Sequence, residues 1–168
     1  MIFGIDLGRK RHFTVIVGIE ENEQNVIEVR LIKSMQNVPF DEQISTITTL
    51  AHTYHAKKIV IDEGGLGMPI VEKLRQTFSS IVYPLQFTNE LKQQMMVRLR
   101  VLFEQKKIKI PNHAMLINSL HKIQRKKTES GLEKFEAIED QTGEHGDFAW
   151  ALAMACHNAK QKASFKII

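Results

Sequence analysis

The chain is poor in several things that would place it in particular protein classes. It has one cysteine, Cys156, in 168 residues. No internal disulfide can form, and in its Ala/Met-rich surroundings the thiol is expected to serve as a small buried hydrophobe. No apolar run approaches the roughly 18 residues that a membrane span requires. The amino terminus begins on a strand-like pattern, so no secretory leader is expected. These absences set an intracellular, reducing location as the expectation. With four prolines and no low-complexity stretch, no linker is evident. A single domain over residues 1–168, long enough for a real core, is therefore expected. Neither Gly-Lys-Ser nor Gly-Lys-Thr occurs, and the glycine cluster at Gly64, Gly65 and Gly67 lacks a lysine, so no phosphate-cradling P-loop can be assigned. The seven histidines include no His-x-x-x-His pair, which argues against a zinc site.

What is present is unevenly distributed charge. The net charge is a mild +4. Yet the stretch from Lys92 to Lys134 holds eleven Lys/Arg against three Asp/Glu, and Phe135 to Asp147 holds five Asp/Glu and no Lys/Arg. A basic surface beside an acidic site suits a polyanionic substrate.

The hydrophobic pattern predicts a hairpin over Met1–Leu7 and His12–Ile19 and a third strand over Asn25–Ser34. A helix is expected over Pro39–Ala51, and a short strand buried on both faces over Lys58–Asp62. A helix from about Pro69, a strand over Ser80–Phe87 and a long helix over Thr88–Lys106 follow, with Thr88 as cap. Lys107–Ile110 reads as a brief extended piece, Ala114–Arg125 as a helix, and Ser130-Gly131 as a turn before a strand over Glu133–Ile138. The last helix, Asp147 to about Lys160, is apolar almost all round and should be buried. Strands first, then strands alternating with helices, imply an α/β fold. The first three strands are antiparallel and the later ones parallel in one mixed sheet, with helices on both faces.

Three aspartates then stand out. Asp6 ends the first strand, Asp62 ends the central one, and Asp147 opens the buried helix. Strand alternation puts Gly4 with Asp6 and Val60 with Asp62, and it favours Asp62 over Glu63 as the functional carboxylate. Each aspartate alone has a structural explanation, Asp147 as a helix N-cap for example. Three carboxylates at the ends of buried elements point instead to a site for a hard divalent cation, Mg²⁺ or Mn²⁺, and to phosphoryl chemistry on nucleic acid.

The ordered set of motifs resembles the ribonuclease-H-like nuclease domain found at the C-terminus of tailed-phage large terminase subunits. The matching segments are Asp6-Leu7-Gly8, then Asp62-Glu63-Gly64-Gly65-Leu66-Gly67-Met68-Pro69, then Val82 through Asn89 followed by Lys92. A long helix into Lys107-Ile108-Lys109-Ile110-Pro111 comes next, and finally His145-Gly146-Asp147 before the alanine-rich helix. The resemblance implies a metal-dependent endonuclease for double-stranded DNA, acting in viral genome packaging. Asp6, Asp62 and Asp147 would hold one or two ions, roughly 4 Å apart when paired, with His145 as a possible further ligand. Hydrolysis would leave a 5′ phosphate and a 3′ hydroxyl. The resemblance also implies an ATPase motor domain, a portal protein and a small terminase subunit as partners, and the infected host's cytoplasm as location. Nothing suggests a membrane, and the isolated domain is expected to be a monomer.

Sequence-independent phosphate contacts are expected from Arg9, Lys10 and Arg11 after the first aspartate. Lys122, Arg125, Lys126 and Lys127, before the Ser130-Gly131 turn, are expected to do the same. Three other readings share parts of the pattern: a Holliday-junction resolvase, one lobe of a sugar-kinase or actin-like fold, and a non-catalytic DNA-binding or assembly module.

Overall fold

The computed structural model describes residues 1–8, 12–64, 67–127, 133–138 and 145–159. Among these, six strands form one sheet in the order β5-β4-β1-β2-β3-β6, and two more form a separate ribbon, β7-β8. Strand β1 (Ile2–Asp6) pairs antiparallel with β2 (Phe13–Glu21), and β2 pairs antiparallel with β3 (Ile27–Gln36). Helix α1 (Phe40–Thr53) carries the chain across to β4 (Lys58–Asp62), which pairs parallel with β1. Helix α2 (Gly67–Phe78) leads to β5 (Val82–Leu85), parallel to β4. Helix α3 (Asn89–Glu104) is followed by the two-residue β6 (Ile108–Lys109), which joins the far edge parallel to β3. Helix α4 (Ala114–Lys122), the β7 (Ile123–Lys127) and β8 (Glu133–Ala137) ribbon, and helix α5 (Asp147–His157) complete the order.

Side-chain alternation sorts the central strands into two cores. Phe3, Ile5, Ile16, Ile59 and Ile61 pack against α1 and α2. Val15, Val17, Ile19 and Val60 pack on the other face against α3, α4 and α5. The mixed sheet with helices on both faces is therefore as the sequence predicts. Met95, Met96, Met154 and Cys156 are all core residues, also as expected. Among the described residues, no helix is long and apolar enough to cross a membrane.

Helix α5 is the axle of the second core. Every residue from Asp147 to Cys156 is buried, and burying side chains the size of Phe148, Leu152 or Met154 contributes roughly 1.5–3 kcal/mol each. The helix lies directly on β1 because position 4 is glycine. A Cβ there would sit 2.0 Å from the Ala151 carbonyl oxygen and 2.5 Å from the Ala155 nitrogen. Both helix ends are held by neighbours. The buried Ser119 of α4 accepts the Ala149 N–H at 2.9 Å, and Arg98 of α3 donates to the Cys156 and Ala159 carbonyls at 2.7 and 3.0 Å. These bonds satisfy backbone groups that a helix leaves open at its termini.

The structure corrects some boundaries. The helix expected to reach Arg125 stops at Lys122, and the chain turns extended at Ile123 to pair with β8. Ile123-Gln124-Arg125-Lys126-Lys127 is too polar to carry a period, and only the partner strand makes it β. Asp147 is not an N-cap. Gly146 takes that position in the left-handed conformation, φ 84°, and Asp147 is the first helical residue. Arg9, Lys10, Arg11, the Ser130-Gly131 turn and the Lys160 end of the last helix lie outside the described residues.

Candidate metal centre

Ile5 of β1 is level with Ile61 of β4. One step further along these parallel strands come Asp6 and Asp62, at neighbouring carboxyl ends in the middle of the sheet. In open α/β sheets, that crevice is where ligands bind. Asp6 shares its face with Gly4 and Asp62 with Val60, so both belong to the face covered by α5. On α5, Ala155, Ala151 and Asp147 succeed one another at four-residue intervals along one side. Gly4 lies under Ala151 and Ala155, so Asp147 stands one helical turn further on, as Asp6 stands two strand residues further on. Two strand residues rise about 6.6 Å and a helical turn about 5.4 Å. The two carboxylates therefore advance together toward the same end of the sheet.

Each carboxylate has a defined setting. Asp147 is 6% exposed, and its Oδ2 accepts the Phe13 N–H from the start of β2 at 3.1 Å. Asp62 is half-buried and its Oδ1 accepts the Gly64 N–H at 3.0 Å. Burial pushes the Asp62 carboxyl above its ordinary value, and the Glu63 charge adds to this. The Gly64 and Phe87 backbone bonds and the Lys92 ammonium oppose it. Glu63 itself donates its N–H to Leu85 across the sheet and lines an open cleft of about 430 Å³ with Asp62, Gln86 and Phe87.

The donors are hard carboxylate oxygens, and a desolvated Asp62 whose charged form is disfavoured would gain from a cation beside it. This donor set fits Mg²⁺ or Mn²⁺. Among the described residues no three His, Cys, Asp or Glu side chains are gathered closely enough to enclose an ion.

The other predicted residues divide. His145 stacks at a tilt on His12, with ring centroids 4.5 Å apart, beside the hairpin turn that follows Asp6. It also lines a groove of about 520 Å³ with Lys92, Lys126, Lys134, Glu136 and Trp150. Lys126 and Lys134 face each other across the ribbon and both pair with Glu136, the former at 3.3 Å. Arg125 points to the opposite side of the ribbon, into a more apolar hollow with Phe103, Leu120 and Phe135. Lys122 ends α4, and Lys127 is exposed at the ribbon's end. Of the four residues expected to contact phosphates, Arg125 and Lys126 thus lie on opposite faces of the ribbon.

Lys92 and Lys134 were not singled out as site residues by the sequence reading. The Lys92 ammonium lies 5.3 Å from the Trp150 ring centroid and 5.4 Å from that of Phe87, within the range of cation–π attraction. Its signal in the sequence was available: it sits four residues after Thr88, the cap of a helix that starts just beyond a sheet strand.

The strand order, the mixed pairing and the helices on both faces define an RNase H-like fold. Within it, the chain belongs to the terminase RNase H-like domain family, whose profile matches residues 3–159. Solved structures agree. The large terminase nuclease of thermophilic phage G20c, with bound magnesium, superposes with a TM-score of 0.79 at 21% identity, over 94% of this chain and 80% of that one. The large terminase nuclease domain of Thermus phage P74-26 gives 0.74 at 19% identity, over 92% and 76%. The chain matches the HK97 bacteriophage large terminase with a TM-score of 0.70 at 12% identity, over 94% of its own length but 39% of that chain. No curated protein matches by sequence.

Proposed function

We propose that this chain is a divalent-metal-dependent endonuclease that cuts double-stranded DNA, with little sequence preference, during viral genome packaging. One observation carries the reading. Asp6 and Asp62 end adjacent parallel strands at the centre of the sheet, and Asp147 opens the helix laid across that same face. Membership of the terminase RNase H-like domain family supports nucleic-acid cleavage as the chemistry these carboxylates serve.

In this reading Asp6, Asp62 and Asp147 hold the cations. One or two Mg²⁺ or Mn²⁺ ions bound there supply Lewis-acid charge to the scissile phosphate and a nucleophilic water at neutral pH. The protein's own part is placement. The Phe13 N–H holds the Asp147 carboxylate, and the Gly64 N–H holds that of Asp62. Lys92 biases Asp62 toward its charged, ligating form. The groove walled by Lys92, Lys126, Lys134 and His145 offers cations to the flanking phosphates.

The chain acts as a single nuclease domain, monomeric in isolation. Its ATPase motor, portal and small-subunit partners belong to the packaging machine in the infected host's cytoplasm. The match to 39% of the HK97 large terminase supports such a division of labour. The test is incubation of supercoiled plasmid with the protein and Mg²⁺ or Mn²⁺. Nicked and linear DNA is expected, and both EDTA and Asp62→Asn are expected to abolish it. Cleavage by Asp62→Asn at the wild-type rate would remove Asp62 from the site.

A further inference from the structure

Two polar side chains on the far side of the sheet are buried more deeply than the aspartates. Thr14 of β2 is 1% exposed and Gln43 of α1 is 2% exposed. Both close on one backbone unit, Gly8. The Gly8 N–H donates to the Thr14 hydroxyl oxygen at 2.9 Å, and the hydroxyl lies 2.8 Å from Gln43 Oε1. Gln43 Nε2 lies 2.8 Å from the Val38 carbonyl and 3.4 Å from that of Gly8, which is also 3.1 Å from the Thr14 oxygen. One arrangement of hydrogens satisfies every group: Gly8 N–H to Thr14, Thr14 O–H to Gln43 Oε1, and the Gln43 amide to both carbonyls. The fit leaves no slack. A Cβ on Gly8 would sit 2.3 Å from the Phe13 carbonyl carbon.

The location of this knot gives it a second meaning. Gly8 is two residues beyond Asp6, and Thr14 is one residue beyond Phe13, whose N–H holds Asp147. Successive strand residues face opposite ways. Phe13 therefore turns its ring toward Phe148 of α5, with centroids 6.0 Å apart, while Thr14 turns its hydroxyl toward α1. The two limbs of the hairpin that bear on Asp6 and Asp147 are tied to each other through Thr14 and Gln43.

We infer that Thr14 and Gln43 are positioning residues that set the separation of Asp6 and Asp147, and so the metal affinity of the site, without touching metal or DNA. This rests on the metal-site reading above. Outer groups that orient metal ligands are typically worth about 10–100-fold in metal affinity. The alternative is a knot that merely satisfies a buried loop, which would alter melting and nothing else.

The discriminating measurement is calorimetric titration of the whole chain with Mn²⁺ in the absence of DNA. It is done on wild type, Thr14→Val, Thr14→Ser and Gln43→Met, with melting curves and duplex binding in EDTA alongside. Thr14→Val keeps the shape and loses the hydroxyl, and it is expected to weaken Mn²⁺ binding about tenfold or more. Thr14→Ser restores the hydroxyl and is expected to restore affinity, while duplex binding in EDTA stays the same throughout. Gln43→Met, on a different element, is expected to match Thr14→Val and carries the test if the strand variant does not fold. Wild-type Mn²⁺ affinity in folded Thr14→Val or Gln43→Met overturns the positioning role, as does a Thr14→Ser protein no better than Thr14→Val. A wild-type protein that binds no Mn²⁺ overturns the metal-site reading itself, and the positioning role falls with it.

Discussion

Asp62 shows how a single side chain carries the tension of the site. Its folded-state carboxyl titrates above the ordinary value, chiefly because burial penalises its charge. Folding therefore favours the protonated form. The associated stability is fully present below the unfolded-state value and lost as pH rises through the folded one. Asp62→Asn, which has no charge to bury, should accordingly gain on wild type in EDTA as pH rises through that folded-state value, and the difference should close as pH falls below the ordinary carboxylate range. A thermal scan series across pH reads this directly, and an Asn variant whose advantage does not grow with pH contradicts it. Cys156 shifts in the same sense and further: burial pushes its thiol up to about 12. In native protein at pH 8 it should not react with a disulfide reagent, and it should react on denaturation. The placement of three aspartates at element ends was legible from sequence because carboxylates bounding apolar runs stand out there. Thr14 and Gln43 were not. A threonine in a strand and a glutamine in a helix are ordinary residues until tertiary structure brings them onto the same glycine.

At the scale of elements, β1 and α5 act as one unit. Gly4→Ala would force a methyl group against the Ala151 carbonyl and the Ala155 nitrogen, backbone atoms that cannot rotate away. The expected cost is about 3 kcal/mol or more, at the upper end for overpacking, read by urea denaturation. The helix must lift to accommodate it, carrying Asp147 away from Asp6, so surviving folded protein should also bind Mn²⁺ more weakly. The all-round apolar character of α5 made its burial legible in advance, and the antiparallel-then-parallel strand order followed from element sequence. The end of α4 was not legible. Extended residues 123–127 hold no hydrophobic alternation, and their β character comes wholly from pairing with β8. That pairing decides which basic residues share a face, which is why Lys126 joins Lys134 in the groove and Arg125 does not.

Over the whole molecule, the two cores separate two kinds of surface. One layer, α1 and α2, carries no part of the groove, and the other holds the aspartates and the basic ribbon. DNA affinity should fall steeply with salt. Lys126→Ala should lower the salt slope by about one, with a similar loss on every duplex sequence. Lys73→Ala, on α2 in the opposite layer, should leave the slope unchanged. Equal effects from the two variants would place the DNA elsewhere. The order of segments has a temporal consequence as well. Asp6 and Asp62 belong to strands made early, while Asp147 arrives only after the eight described strands and rides on the helix that covers the central sheet. A chain still emerging from the ribosome thus lacks both its third carboxylate and the lid over Val15, Val17 and Val60. The proposed metal site therefore cannot assemble before α5 is in place.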